Sequence, residues 1–288
     1  MTLSDSELLN LVEEVDRACA AEGVLPHVRS IKVPRRVCGK LGISFVIGAI
    51  KVPEIDRIFA AHKHYYRPGD MGIGAIHTGI ACHLDLFYRV DFPLIYGEVN
   101  INFLSLTNAY PAQLERIWSV KKDSDAFLSN ILDVCDIGGT LAPNHGFTPP
   151  SGEALNYFRM AAFHNQAFAA TLSSNCSLTG AVQSALLCAE LAVKAALLHL
   201  GKDEEFLRTR IGHDLTKAVP VLVGEGAYEK KSLEENIGQL PHFVKSRYQE
   251  RKWPRNELVS ISLAAQNILS EVSRKISDFS YAQLIKSD

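Results

Sequence analysis

The chain has neither a Cys-x-x-Cys pair nor a His-x(3)-His spacing, so the ligand patterns of the common zinc sites are missing. His62, His64, His77, Cys82 and His83 are therefore read as unconnected surface and core side chains, and no metal or cofactor is expected. The six cysteines are scattered, and the first residues show no basic stretch followed by an apolar one. The expectation is a reduced, cytoplasmic protein. No charge of either sign dominates: 30 Lys and Arg meet 32 Asp and Glu, for a formal net charge of -2. That balance argues against nonspecific coating of nucleic acid and leaves room for a local basic groove. The longest apolar stretch, Ala181 to Leu200, is interrupted by Glu190 and Lys194. Their acid-then-base order four residues apart reads as an exposed helix pair, and no membrane span is expected. Repeats at solenoid or propeller periods are absent. Gly72-x-Gly74 lacks the third glycine and the strand-to-helix context of a dinucleotide fingerprint.

What is present changes texture along the chain. Ser4 or Ser6 can cap a helix to Ala21 in which Leu8, Leu11, Val12, Val15 and Ala18 recur at helical spacing before Gly23. Gly42 to Ile50 and Ile80 to Leu106 are rich in Ile, Val, Phe and Tyr and read as strands. From His83 to Val90, His83, Asp85, Phe87 and Arg89 share one face and Leu84, Leu86, Tyr88 and Val90 the other. Helices are expected over Pro53 to Tyr65, Pro111 to Val120 and Asp123 to Val134, the last stopped by Gly138-Gly139. Asp136-Ile137-Gly138-Gly139-Thr140 is identical to a phosphate-loop signature of sugar kinases of the actin-like fold. No second nucleotide-binding half accompanies it here, and a glycine-driven helix stop is the reading preferred.

Ala142 to Gly152, rich in Pro and Gly, marks the expected domain join near residue 150. The fold class is then an α+β N-terminal domain over residues 1–150 followed by an all-α, up-and-down helical bundle over 151–288. Within the bundle, helices are expected from Glu153 to Leu172 and along a stripe of Val182, Leu186, Ala189, Val193, Leu197 and Leu200 closed by Gly201. The Asn175-Cys176-Ser177 turn joins them as an antiparallel pair. A last long helix, Asn256 to Ile276, buries Leu258, Ile261, Ala265, Ile268 and Val272, and the two stripes face each other.

Three segments carry a resemblance: the Ala-rich Ala189 to Leu198, the cluster Gly212-His213-Asp214-Leu215, and Lys245-Ser246-Arg247-Tyr248 before the final helix. In order and spacing the C-terminal half, about residues 151–280, resembles the HEPN domain family. The resemblance implies a four- to five-helix bundle that commonly dimerises, and a nuclease motif of arginine and histidine with four to six residues between them. Arg208 and His213 satisfy that spacing, with Thr209, where asparagine is frequent, and Asp214 in support. Gly-His-Asp-Leu is also typical of members that partner nucleotidyltransferases or bind ligands, so two functions stay open. One is a metal-independent endoribonuclease of a toxin or defence type, held by an antitoxin-like partner. The other is a non-catalytic module that binds nucleotide, RNA or protein.

For the first, an arginine that neutralises phosphate and a histidine that titrates near neutrality are the side chains a metal-free ribonuclease needs. Along one α-helix they would stand roughly 140° apart at ~100° per residue. Gly212 could start a new turn, and a homodimer could bring two pairs together; Pro220 also cuts short any helix begun at Asp214. Lys245, Arg247 and Tyr248, with Arg251, Lys252, Trp253 and Arg255, have a composition that holds phosphates and stacks a base, or that forms a solvated polar loop.

Overall fold

The computed structural model describes residues 3–45, 52–67, 74–95, 100–142, 152–174, 178–225, 228–242 and 251–287. They fall into two compact units that divide between Gly74 and Ala75. The division therefore lies far from the Pro/Gly-rich stretch near residue 150.

In the first unit the described elements are three helices: α1 (Asp5–Ala21), α2 (Pro26–Lys40) and α3 (Pro53–Lys63). Ser4 caps α1 through a reciprocal pair with Glu7: the Glu7 N–H donates to Ser4 Oγ (3.3 Å), and the Ser4 N–H donates to the Glu7 carboxylate (2.9 Å). Leu8, Val12 and Val15 of α1 bury against Val33 and Val37 of α2 and Ile55 and Ile58 of α3. The described residues of this unit hold helices and no strand; the strands within residues 1–150 belong to the second unit. The strand expected from Gly42 to Ile50 lies mostly outside the described residues, since only Gly42 to Phe45 are described, without strand structure.

The second unit is mostly helical around one hairpin, β1 (His77–His83) and β2 (Leu86–Phe92), paired antiparallel. Around it lie α4 (Pro111–Trp118), α5 (Lys121–Leu141), α6 (Gly152–Ser173), α7 (Thr179–His199), α8 (Val219–Gly224), α9 (Lys230–Gly238), α10 (Arg255–Ser277) and α11 (Tyr281–Ser287). α7 packs along α6 and α10, while α5 packs on α10 and β1. Leu258, Ile261, Ala265, Ile268 and Val272 are all buried, as are Val182, Leu186, Ala189, Val193 and Leu197. α7 is also the one described helix long and apolar enough to cross a membrane, and 67% of its most apolar window is buried inside the unit.

The hairpin belongs to this helical unit because helices terminate its edge. The Gln266 side chain of α10 mimics a neighbouring strand, its Nε2 donating to the Ile80 carbonyl (2.8 Å) and its Oε1 accepting from the Ile80 N–H (2.9 Å). The Cys82 N–H donates to Asn130 Oδ1 of α5 (3.1 Å). Backbone groups that would otherwise be orphaned inside the core are thus paired. The approach requires Gly79, where an added Cβ would lie 2.6 Å from Gln266 Oε1.

α5 runs through Gly138-Gly139 rather than stopping there. An added Cβ at Gly138 would sit 2.4 Å from the Phe92 ring, so this glycine serves close helix-to-strand packing. Asp136 faces inward, and the phosphate-loop pattern is simply part of a helix. Its carboxylate accepts from Arg274 Nε (2.5 Å), Ser280 Oγ (3.1 Å) and the Tyr281 N–H (2.6 Å), while Asp133 accepts from Arg274 Nη2 (2.6 Å) and Ser270 Oγ (2.8 Å). Burial pushes the Asp136 carboxyl up, and Arg274 pulls it back part of the way.

His77 is fully buried, its Nε2 donating to Asn165 Oδ1 (2.7 Å) and its Nδ1 accepting from Gln166 Nε2 (3.4 Å). Burial lowers its pKa to about 4. A depressed histidine adds stability that is complete above its unfolded value near 6.5 and is lost as pH falls toward the folded one. At 1.36 kcal/mol per unit, the loss from neutral pH to about pH 4 is about 3 kcal/mol. Urea unfolding of wild type should therefore lose more stability over this interval than His77→Gln; equal losses would show that His77 is not the acid-labile group.

Candidate functional site

The Arg208/His213 segment is shaped by a widened helical turn. Asp203 caps it, its carboxylate accepting from the Phe206 N–H (2.7 Å), and Glu204–Phe206 then passes into a π turn over Leu207–Ile211. The Gly212 N–H donates back five residues to the Leu207 carbonyl (2.8 Å). Leu207 and Ile211 are buried anchors, and the residues between them, Arg208, Thr209 and Arg210, are exposed. Gly212 has φ 60° and ψ −121°, a conformation open in practice only to glycine. The single α-helix through both residues is thus replaced by a π turn and a glycine reversal, a local device common at functional sites.

His213 leaves this reversal and meets Glu190 in the middle of α7, its Nδ1 3.0 and 3.1 Å from the two carboxylate oxygens. Glu190 is 5% exposed, and its Oε1 also accepts from Lys194 Nζ (2.6 Å). Glu190 and Lys194 are therefore not the exposed helix pair expected from their spacing. Lys194 is largely covered, and the acid joins it to His213. Facing a carboxylate, Nδ1 is the protonated ring nitrogen, and Nε2 lies on the far side of the ring. The His213 side chain keeps 56% exposure, so a buried acid orients an imidazole at the surface.

Beside it lies a cavity of about 190 Å³. Leu186, Leu215, Ile237, Leu240 and Pro241 form its apolar walls, with Glu190, His213, Asp214, Thr216 and His242 as the polar groups. It is smaller than the ~300–1,000 Å³ that encloses a drug-sized ligand and fits part of a larger molecule. Asp214 serves local structure, accepting from the Thr216 N–H (3.2 Å) and Thr216 Oγ1 (2.5 Å), bonds that hold its carboxyl below the usual range. The helix interrupted at Pro220 is accordingly a 3-10 turn, Leu215–Lys217, followed by α8 with Pro220 in its first turn.

Arg208 and Thr209 do not line this cavity. Thr209 Oγ1 donates to the Glu205 carbonyl (2.7 Å), and Arg208 makes no ion pair among the described residues. Lys245, Arg247 and Tyr248 lie outside the described residues. Farther along the same basic stretch, Arg251 stacks 4.0 Å over Trp253 and pairs with Glu257 (2.6 Å), and Arg255 donates to the Asp85 carbonyl (2.7 Å). Among the described residues no group of three His, Cys, Asp or Glu side chains is placed to hold a metal ion.

Sequence reasoning missed Glu190 as a site residue. The available signal was a charged pair inside an otherwise apolar stripe, where a buried acid needs a partner. No protein-family model, curated protein or solved structure matches the chain.

Proposed function

We propose that this chain is a HEPN-like, metal-independent endoribonuclease centred on His213. One observation carries it: the buried Glu190 carboxylate 3.0 Å from Nδ1 of an exposed histidine beside a cavity. A carboxylate that fixes the tautomer leaves Nε2 to move a proton. In this mechanism Nε2 takes the proton of a ribose 2′-hydroxyl as its oxygen attacks the adjacent phosphorus. The bond from phosphorus to the 5′-oxygen breaks and the proton taken up by Nε2 passes to that oxygen, leaving a 2′,3′-cyclic phosphate and a 5′-hydroxyl. Arg208 would neutralise charge on the phosphoryl oxygens, from outside the cavity or across a homodimer interface. Thr209 and Asp214 hold the turn on either side. Lys245, Arg247 and Tyr248 would carry the flanking phosphates and a base. A toxin or defence role, with a protein partner that holds the activity in check, fits such an enzyme.

Purified full chain should cleave RNA with 2′,3′-cyclic phosphate ends, continue in EDTA, and spare DNA of the same sequence, which has no 2′-hydroxyl. Loss of activity in EDTA, or equal cleavage of the DNA, would refute the mechanism.

The position of Arg208 outside the cavity lining, with apolar walls around His213, favours a second reading: a non-catalytic module that holds a nucleotide or protein segment. Saturable RNA or nucleotide binding that weakens in His213→Ala, without any cleavage by wild type, would select it.

A further inference from the structure

Away from His213, a second cavity of about 390 Å³ opens where α9, α10 and α11 come together, with Tyr228, Glu229, Glu271, Arg274, Lys275 and Asp278 in its lining. Its charges do not balance once their partners are assigned. Arg274 is already held by Asp133 and Asp136, at 2.6 and 2.5 Å, and is not available to an incoming anion. Glu229, Glu271 and Asp278 then face the one remaining ammonium, Lys275.

Two groups in the lining lack what a donor would supply. Glu271 accepts from Ser232 Oγ through one oxygen, Oε1; among the described residues its Oε2 accepts no hydrogen bond. Tyr228 is 8% exposed, and its hydroxyl has no hydrogen-bond partner among the described residues. Neither atom is among the sealed polar atoms without a partner, so both are open to a donor that enters the cavity. Burial pushes both the Glu271 carboxyl and the Tyr228 hydroxyl up, and a positive charge between them would offset that burial.

We propose that this cavity binds a small organic cation with N–H donors, an alkylammonium or alkylguanidinium group. The cation pairs with Glu271 Oε2, donates to the Tyr228 hydroxyl and lies against its ring, which favours cations. An organic cation with several donors suits the spread of acceptors here, and the cavity is in the size range of small-molecule sites, about 300–1,000 Å³. The site is separate from the His213 chemistry and does not depend on it.

Calorimetric titration of the full chain with agmatine, and separately with putrescine, tests the proposal, with butyrate as the anionic control. At least one of the amines should bind saturably at one site, and butyrate should not. Glu271→Gln should weaken that amine about tenfold or more, the loss of a charge-assisted bond, and Tyr228→Phe about fivefold. Both changes are nearly isosteric, and either variant alone suffices should the other fail to fold. No saturable binding of either amine, binding of butyrate as tight as theirs, or unchanged amine affinity in a folded variant would overturn the proposal.

Discussion

Replacing Arg274 by methionine is expected to lower the unfolding free energy by about 3–5 kcal/mol, because it strands two buried carboxylates. Asp133 is 3% exposed and Asp136 fully buried, and both rely on this guanidinium. The loss should shrink as pH falls, since the stranded carboxyls can then protonate and shed their charge. Adding Asp133→Asn and Asp136→Asn to Arg274→Met should recover much of the stability for the same reason. Urea unfolding of the single and triple variants, near neutral pH and in mild acid, gives the comparison. A loss below about 1 kcal/mol for Arg274→Met would place the triad among ion pairs of little net worth.

The second large effect concerns Arg208 and His213. If they act on one phosphodiester, either alanine substitution should slow RNA cleavage by about 10²–10⁴-fold. The double variant should be hardly slower than the worse single one, because groups that share a transition state are strongly non-additive. Arg208→Ala should change stability little, as that side chain is exposed, whereas His213→Ala also takes one partner from the buried Glu190 carboxylate and leaves it to Lys194. Single-turnover rates of the three variants decide it. Additive losses would mean that the two residues act at separate steps.

The apolar stripes of α7 and α10 were legible because helical periodicity is a local property, and every residue the spacing picks out except Leu200 is buried. α2 was not legible. Pro34 lies inside it, and Val33, Val37 and Cys38 give it only a short buried stripe. The hairpin turn hid within an alternating run, since Leu84 takes the left-handed conformation, φ 57°, that usually announces itself with Gly or Asn. Leu84 is consequently exposed at the tip, and Leu86 is exposed as well, although both share the expected apolar face with the buried Tyr88 and Val90. Gly138 misled for the opposite reason: a residue that breaks helices also permits close packing, and only the fold reveals the Phe92 ring against it.

At the site, the spacing of Arg208 and His213 was visible, but the acid that orients the histidine lies 23 residues earlier, on another helix. An i,i+4 acid-base pair looks the same whether it faces water or a buried partner. The Asp133–Arg274–Asp136 triad was hidden for a related reason, since its partners are more than a hundred residues apart.

The measurement that bears most directly on the proposed function is the cleavage of RNA by purified wild type and by His213→Ala, with folding of the variant checked by circular dichroism. Wild type should cleave and leave 2′,3′-cyclic phosphate ends, while the folded variant is slowed by about 10²-fold or more. RNA left intact by wild type freed of any bound inhibitor, or cut equally fast by the variant, would contradict it.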